Sequence, residues 1–132
     1  MGDRCYWEAE VRKRDTERFQ EIIYGRVLDK ERTEFEEVEM NYAAWDGCTI
    51  AAEEGLVFKV SHGAGGNYGA GAFCALGGKL YTVERTEDGR ICVPVDGRGN
   101  IDAKRMEEVR QYIAAVKKVD RILLKEAKES SD

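Results

Sequence analysis

The chain has 132 residues, of which 42% are hydrophobic, 36% are charged and one is proline, and its formal net charge is −5. A chain of this size buries roughly two-thirds of the surface its unfolded form exposes, so this composition describes a folded domain rather than a disordered tail. The negative balance works against general binding of nucleic acid or of an anionic membrane, and no apolar run of about 18 residues is present to form a transmembrane helix.

The opening residues, Met1-Gly2-Asp3-Arg4-Cys5-Tyr6-Trp7, carry no apolar signal region, and Tyr6 stands where a myristoylation pattern needs Ser or Thr. The expectation is a soluble, cytoplasmic protein. Cys5, Cys48, Cys74 and Cys92 are widely spaced, without a Cys-x-x-Cys pair, and one histidine does not complete a zinc set. They read as reduced thiols, with no metal or other cofactor implied.

In chain order, Cys5, Trp7, Ala9 and Val11 alternate with Tyr6, Glu8, Glu10 and Arg12, the period of a half-buried strand with the first set inward. Asp15 or Thr16 can cap a short helix over 16–24 whose apolar face is Phe19, Ile22 and Ile23, and Gly25 can end it. The stretch 34–45 fits two templates. Thr33 and Glu36 could form a capping box ahead of a helix bearing Phe35, Val38, Tyr42 and Trp45, stopped by Asp46-Gly47. Alternatively, Val38, Met40 and Tyr42 alternate with Glu37, Glu39 and Asn41 as in a strand.

Residues 48–52, 56–60, 72–76, 79–85 and 90–95 are each of strand length, with Gly55, Gly77-Gly78 and Asp88-Gly89 as turn signals between them. Pro94 cannot donate to a ladder, so the last of these is either an edge strand or one whose final residues are unpaired. Residues 102–127 form the clearest pattern, with Asn100 or Asp102 as cap and a heptad seam of Val109, Tyr112, Val116, Val119 and Leu123. Such a helix is roughly 39 Å long and would cross a globule of about 36 Å, which predicts a homodimer through that seam. The predicted architecture is α+β: one domain over 1–127, with an antiparallel sheet of five to seven strands and the helices on one face. Residues 128–132 are expected to fray.

The most unusual stretch is the glycine-rich run 61–71, Ser61-His62-Gly63-Ala64-Gly65-Gly66-Asn67-Tyr68-Gly69-Ala70-Gly71, which holds the single histidine. Glycine amides can cradle a phosphate, but no nucleotide fingerprint fits. Tyr68 occupies the third-glycine position after Gly63-x-Gly65, Cys74 occupies it after Gly69-x-Gly71, and Gly78-Lys79 is followed by Leu80. Residues 96–102 resemble the middle of a calcium loop, yet the ligand positions fall on Pro94, Asp96, Arg98 and Arg105, which excludes the cation.

The acidic run Glu31, Glu34, Glu36, Glu37 and Glu39 reads as a solvated face, with Glu37 and Glu39 on the outer side if it is a strand. The basic residues Lys117, Lys118, Arg121, Lys125 and Lys128 of the last helix read as solvated too. The functional expectation is a non-enzymatic binding protein that holds a small ligand or a protein partner through His62, Gly63, Gly65, Gly66, Asn67 and Tyr68. Its size and acidity are also those of small inhibitors, phage-encoded anti-defence proteins among them. The alternatives are an enzyme on a phosphorylated or nucleotide-like substrate, with His62 as general base, and a structural dimerisation module.

Overall fold

The computed structural model describes residues 4–130. The start of the chain, Met1 to Asp3, and the final Ser131-Asp132 of the expected frayed tail lie outside the described residues. The first strand, β1 (Arg4–Val11), follows its sequence period, with Cys5, Trp7, Ala9 and Val11 buried and the residues between them exposed. Helix α1 (Thr16–Tyr24) ends at Gly25, whose φ of 76° is left-handed and whose amide donates to the Glu21 carbonyl at 2.9 Å.

Asp15 does not cap α1 through its side chain. Its Oδ2 accepts instead from Arg12 Nε at 2.8 Å and from the Val57 amide at 2.9 Å, clamping the end of β1 to the segment that enters β3. Buried Gln20 organises the connection after α1. Its Oε1 accepts from the Leu28 and Asp29 amides at 2.7 and 2.9 Å, and its Nε2 donates to the Asp29 carbonyl at 2.8 Å.

The ambiguous stretch is a strand, β2 (Glu34–Asn41), antiparallel to β1. Pairing with β1, with Phe35 opposite Ala9 and Glu37 opposite Trp7, holds this stretch extended, so the helical capping box at Thr33 and Glu36 does not form. An irregularity opposite Cys5 to Trp7 shifts the register near the end of β2. The next segment corrects the sequence reading. Residues expected as a strand over 48–52 belong to helix α2 (Trp45–Glu53), and Gly47, expected as a stop, lies inside it. The small residues Cys48, Ala51 and Ala52 form its buried stripe at helical spacing. Their short apolar run has no period that separates strand from helix.

The remaining strands are β3 (Phe58–His62), β4 (Gly71–Leu76), β5 (Lys79–Arg85) and β6 (Ile91–Cys92), giving one sheet in the order β2-β1-β3-β4-β5-β6. All neighbours are antiparallel, as expected. The short β6 is an edge strand and ends before Pro94. The helix α3 (Ala103–Ser130) begins where Asp102 Oδ1 accepts from the Lys104 and Arg105 amides at 3.0 and 3.2 Å. It continues past Ala127, so residues 128–130 are helical. None of the helices among the described residues is long and apolar enough to cross a membrane.

Directly paired residues share a face, so the register sorts the core. One face carries Trp7, Ala9, Phe58, Val60, Phe73 and Ala75, packed on Phe19 of α1 and on Cys48, Ala51 and Ala52 of α2. The other carries Ala72, Cys74 and Val83, packed on Val109, Ala115 and Val119 of α3. The helices therefore cover both faces instead of sharing one, because β4 is apolar on each side. The seam predicted to bind a second copy is used within the chain: Val109 and Val119 are buried against the sheet, with Tyr112, Val116 and Leu123 packed around them. That seam is not a free dimer surface.

This packing sets a stability test. Val119→Asp places a carboxylate at a site of 0% exposure and is expected to cost about 3 kcal/mol or more in urea unfolding. Leu124→Asp, on the solvent side of the same helix at 57% exposure, should stay within about 0.5 kcal/mol of the parent. Equal effects at the two positions would contradict the orientation of α3.

Candidate functional site

Between β2 and α2 the chain makes a turn that sequence reading did not anticipate. Tyr42, Ala43 and Ala44 have φ values of 50°, 54° and 55°, three consecutive non-glycine residues in the left-handed region. Each such residue costs roughly 1–2 kcal/mol of steric strain. Buried Ala43 anchors the turn, while Tyr42 and Trp45 are held outward, 52% and 46% exposed.

These two rings end a continuous arc of aromatic contacts. Trp45 meets Phe73 edge-on at 5.1 Å, Phe73 lies 5.0 Å from the His62 ring, His62 is 5.9 Å from Tyr68, and Tyr68 is 6.4 Å from Tyr42. The arc lines an open cleft of about 810 Å³ on the face that carries α1 and α2. Gly71 and Thr82 contribute to its wall from β4 and β5, and Asp46, Glu84 and Arg105 are its charged residues.

The glycine-rich run is explained here by steric room rather than by anion binding. A Cβ on Gly71 would lie 2.7 Å from the Val83 carbonyl oxygen and 2.9 Å from His62 Nε2. A Cβ on Gly65 would lie 2.4 Å from the Tyr68 ring, which folds back across that residue while the Gly65 amide donates to the Tyr68 carbonyl at 3.0 Å. Two glycines thus seat two rings of the arc. Gly63, Gly65, Gly69 and Gly71 all avoid positive φ, so they do not build the alternating backbone of a phosphate nest.

The six predicted site residues therefore separate. His62 and Tyr68 line the cleft, and Gly65 supports Tyr68. Gly63 extends the pairing of β1 with β3 by donating to the Tyr6 carbonyl at 2.9 Å, while Gly66 and Asn67 are exposed outside the cleft lining. Sequence reading missed Tyr42, Trp45 and Phe73 as site residues. The first two fall in an apolar helical row with Phe35 and Val38, which reads as packing rather than as a site.

His62 Nδ1 donates to the Gly63 carbonyl at 2.8 Å, which leaves the lone pair of the neutral ring on Nε2. Burial, helped by the positive charge of Arg85, holds its pKa below the ordinary histidine value against the opposing Gly63 hydrogen bond. Ser61, next to His62 in the chain, and Cys74 are not placed to serve it as nucleophiles. Ser61 and Cys74 lie on the opposite face, where Ser61 Oγ accepts from Arg85 Nη1 at 3.0 Å. Burial pushes the Cys74 thiol up to about 12 and raises that of Cys48 as well.

The other motifs have local roles. Asp96 Oδ1 accepts from the Arg98 and Asn100 amides at 2.8 and 3.0 Å, an ordinary turn. Glu37 does not face outward as expected for a strand, because its register with Trp7 turns it toward α1, where it accepts from the Tyr24 hydroxyl at 2.8 Å. Glu34 and Glu36 lie on the far face, directly opposite Glu10 and Glu8. No protein-family model matches the chain, and no curated protein or solved structure matches it.

Two outcomes test this geometry. Gly71→Ala should lose about 1–3 kcal/mol of stability through overpacking, whereas Gly69→Ala, with nothing within 4 Å, should be near neutral in the same denaturation assay. The lone histidine should titrate with a midpoint below 6.5 by NMR. Because the folded value is depressed, the stability contributed by neutral His62 is complete above about pH 6.5 and declines as pH falls through the folded value. His62→Gln should remove that part of the pH dependence.

Proposed function

We propose that this chain is a non-enzymatic binding protein that takes a small, planar and largely apolar ligand into the cleft bounded by Tyr42, Trp45, His62, Tyr68 and Phe73. The observation that carries this reading is the unbroken arc of five rings around one opening. Its volume of about 810 Å³ falls within the usual range for a small-molecule site. Aromatic side chains provide large contact areas at little conformational cost, and a flat ring can lie against them with offset or edge-to-face geometry.

The strained turn supports the same reading. Left-handed backbone at three residues is retained where it keeps Tyr42 and Trp45 partly exposed instead of letting them fold into the core. The glycine-rich run participates through His62 and Tyr68 rather than through its amides. A catalytic reading has less support, because Ser61 and Cys74 lie on the opposite face from the neutral imidazole and burial raises the pKa of the Cys48 thiol.

Trp45 makes the reading measurable, since the other tryptophan, Trp7, has 0% exposure. A metabolite screen by thermal shift should return planar hits that also change Trp45 emission. Trp45→Ala and Tyr68→Ala should each weaken these hits by roughly tenfold. Glu34→Ala, on the opposite face of the sheet, should leave them unchanged. Hits indifferent to both aromatic substitutions would remove the cleft as the binding site.

A further inference from the structure

We infer that the ring held in this cleft carries a positive charge, so that the ligand class is a planar aromatic amine or a related aromatic cation. The inference rests on the binding reading above and adds the sign of the ligand. It comes from how the charged groups of the cleft are partnered. Asp46, in the first turn of α2, and Glu84, on β5, are both exposed lining residues. Neither takes part in a salt bridge or side-chain hydrogen bond among the described residues. Arg105 is the cationic lining residue, and its Nη1 is paired with Glu108 Oε2 at 3.1 Å.

Arg85, the cation that acts on His62, is engaged on the other face with Ser61 Oγ, and among the lining residues the unpaired charge is therefore negative. His62 does not offset it near neutral pH, because burial keeps its imidazole in the uncharged form. The faces of Tyr, Trp and Phe rings present negative electrostatic potential, which attracts a cation held over them. Unpaired carboxylates beside an aromatic wall thus act in the same direction. A ring bearing a carboxylate or phosphate would meet both the carboxylates and the ring faces as repulsion.

Three compounds with the same ring and different charges test the inference: tryptamine, indole and indole-3-acetate, titrated by calorimetry at low and at physiological salt. The expected order is tryptamine, then indole, then indole-3-acetate, with about fivefold to tenfold between successive members and a smaller spread at higher salt. In the double variant Asp46→Asn, Glu84→Gln, tryptamine should fall to within about twofold of indole, while indole itself binds as to the parent. Indole binding that is retained also reports that the variant is folded.

If all three bind equally to the parent, the cleft remains a ligand site and the cationic class is overturned. A tryptamine preference that survives the double substitution also overturns it, since the overall negative charge of the protein would then be the cause. If none of the three binds, and the screen described above finds no cleft ligand, both readings fall.

Discussion

Strand β4 sets the terms for the rest of the molecule. Its residues from Gly71 to Ala75 are all buried, and successive side chains of a strand point to opposite faces. Such a strand is dry only if each face of the sheet has its own cover. The α1 and α2 pair covers Phe73 and Ala75, and α3 covers Ala72 and Cys74. The heptad pattern of α3 is read correctly as an apolar seam, but the partner of that seam is the sheet.

The same strand makes the cleft. Gly71, at its start, removes a side chain where His62 on β3 and the Val83 carbonyl on β5 come close. Two residues later Phe73 joins His62 to Trp45. Tyr68 is brought in by the tight turn at Gly65, and Tyr42 by the left-handed entry to α2. The arc therefore combines residues from two strands, one loop, one turn and one helix. Loosening any of those junctions would separate the rings.

The charges divide between the faces of the sheet. On the side of α3, Lys59 bridges Asp120 at 2.7 Å and Glu10 at 3.7 Å, so part of the acidity there is compensated within the chain. At the cleft the balance is different, because Arg105 is paired with Glu108 while Asp46 and Glu84 lack cationic partners among the described residues. The overall charge of −5 does not describe either surface by itself.

Local pattern was enough for β1, α1, the hairpin strands and α3, because alternation, helical spacing, Gly25 and the Asp102 cap act over a few residues. It identified the glycine-rich run as unusual and named His62, Asn67 and Tyr68 as its side chains, of which His62 and Tyr68 line the cleft. It did not separate helix from strand over 34–45 and took 48–52 for a strand, because short apolar runs satisfy both periods and the outcome depends on pairing with β1 and packing against α1. Nor did it assign faces, since periodicity reports that a side is buried and not what buries it. Tyr42 and Phe73 are 31 positions apart in the chain, so only folding of the sheet and α2 could put them around one opening. The sequence determined an α+β chain with a glycine-rich loop, and the tertiary structure decided that those glycines make room for rings.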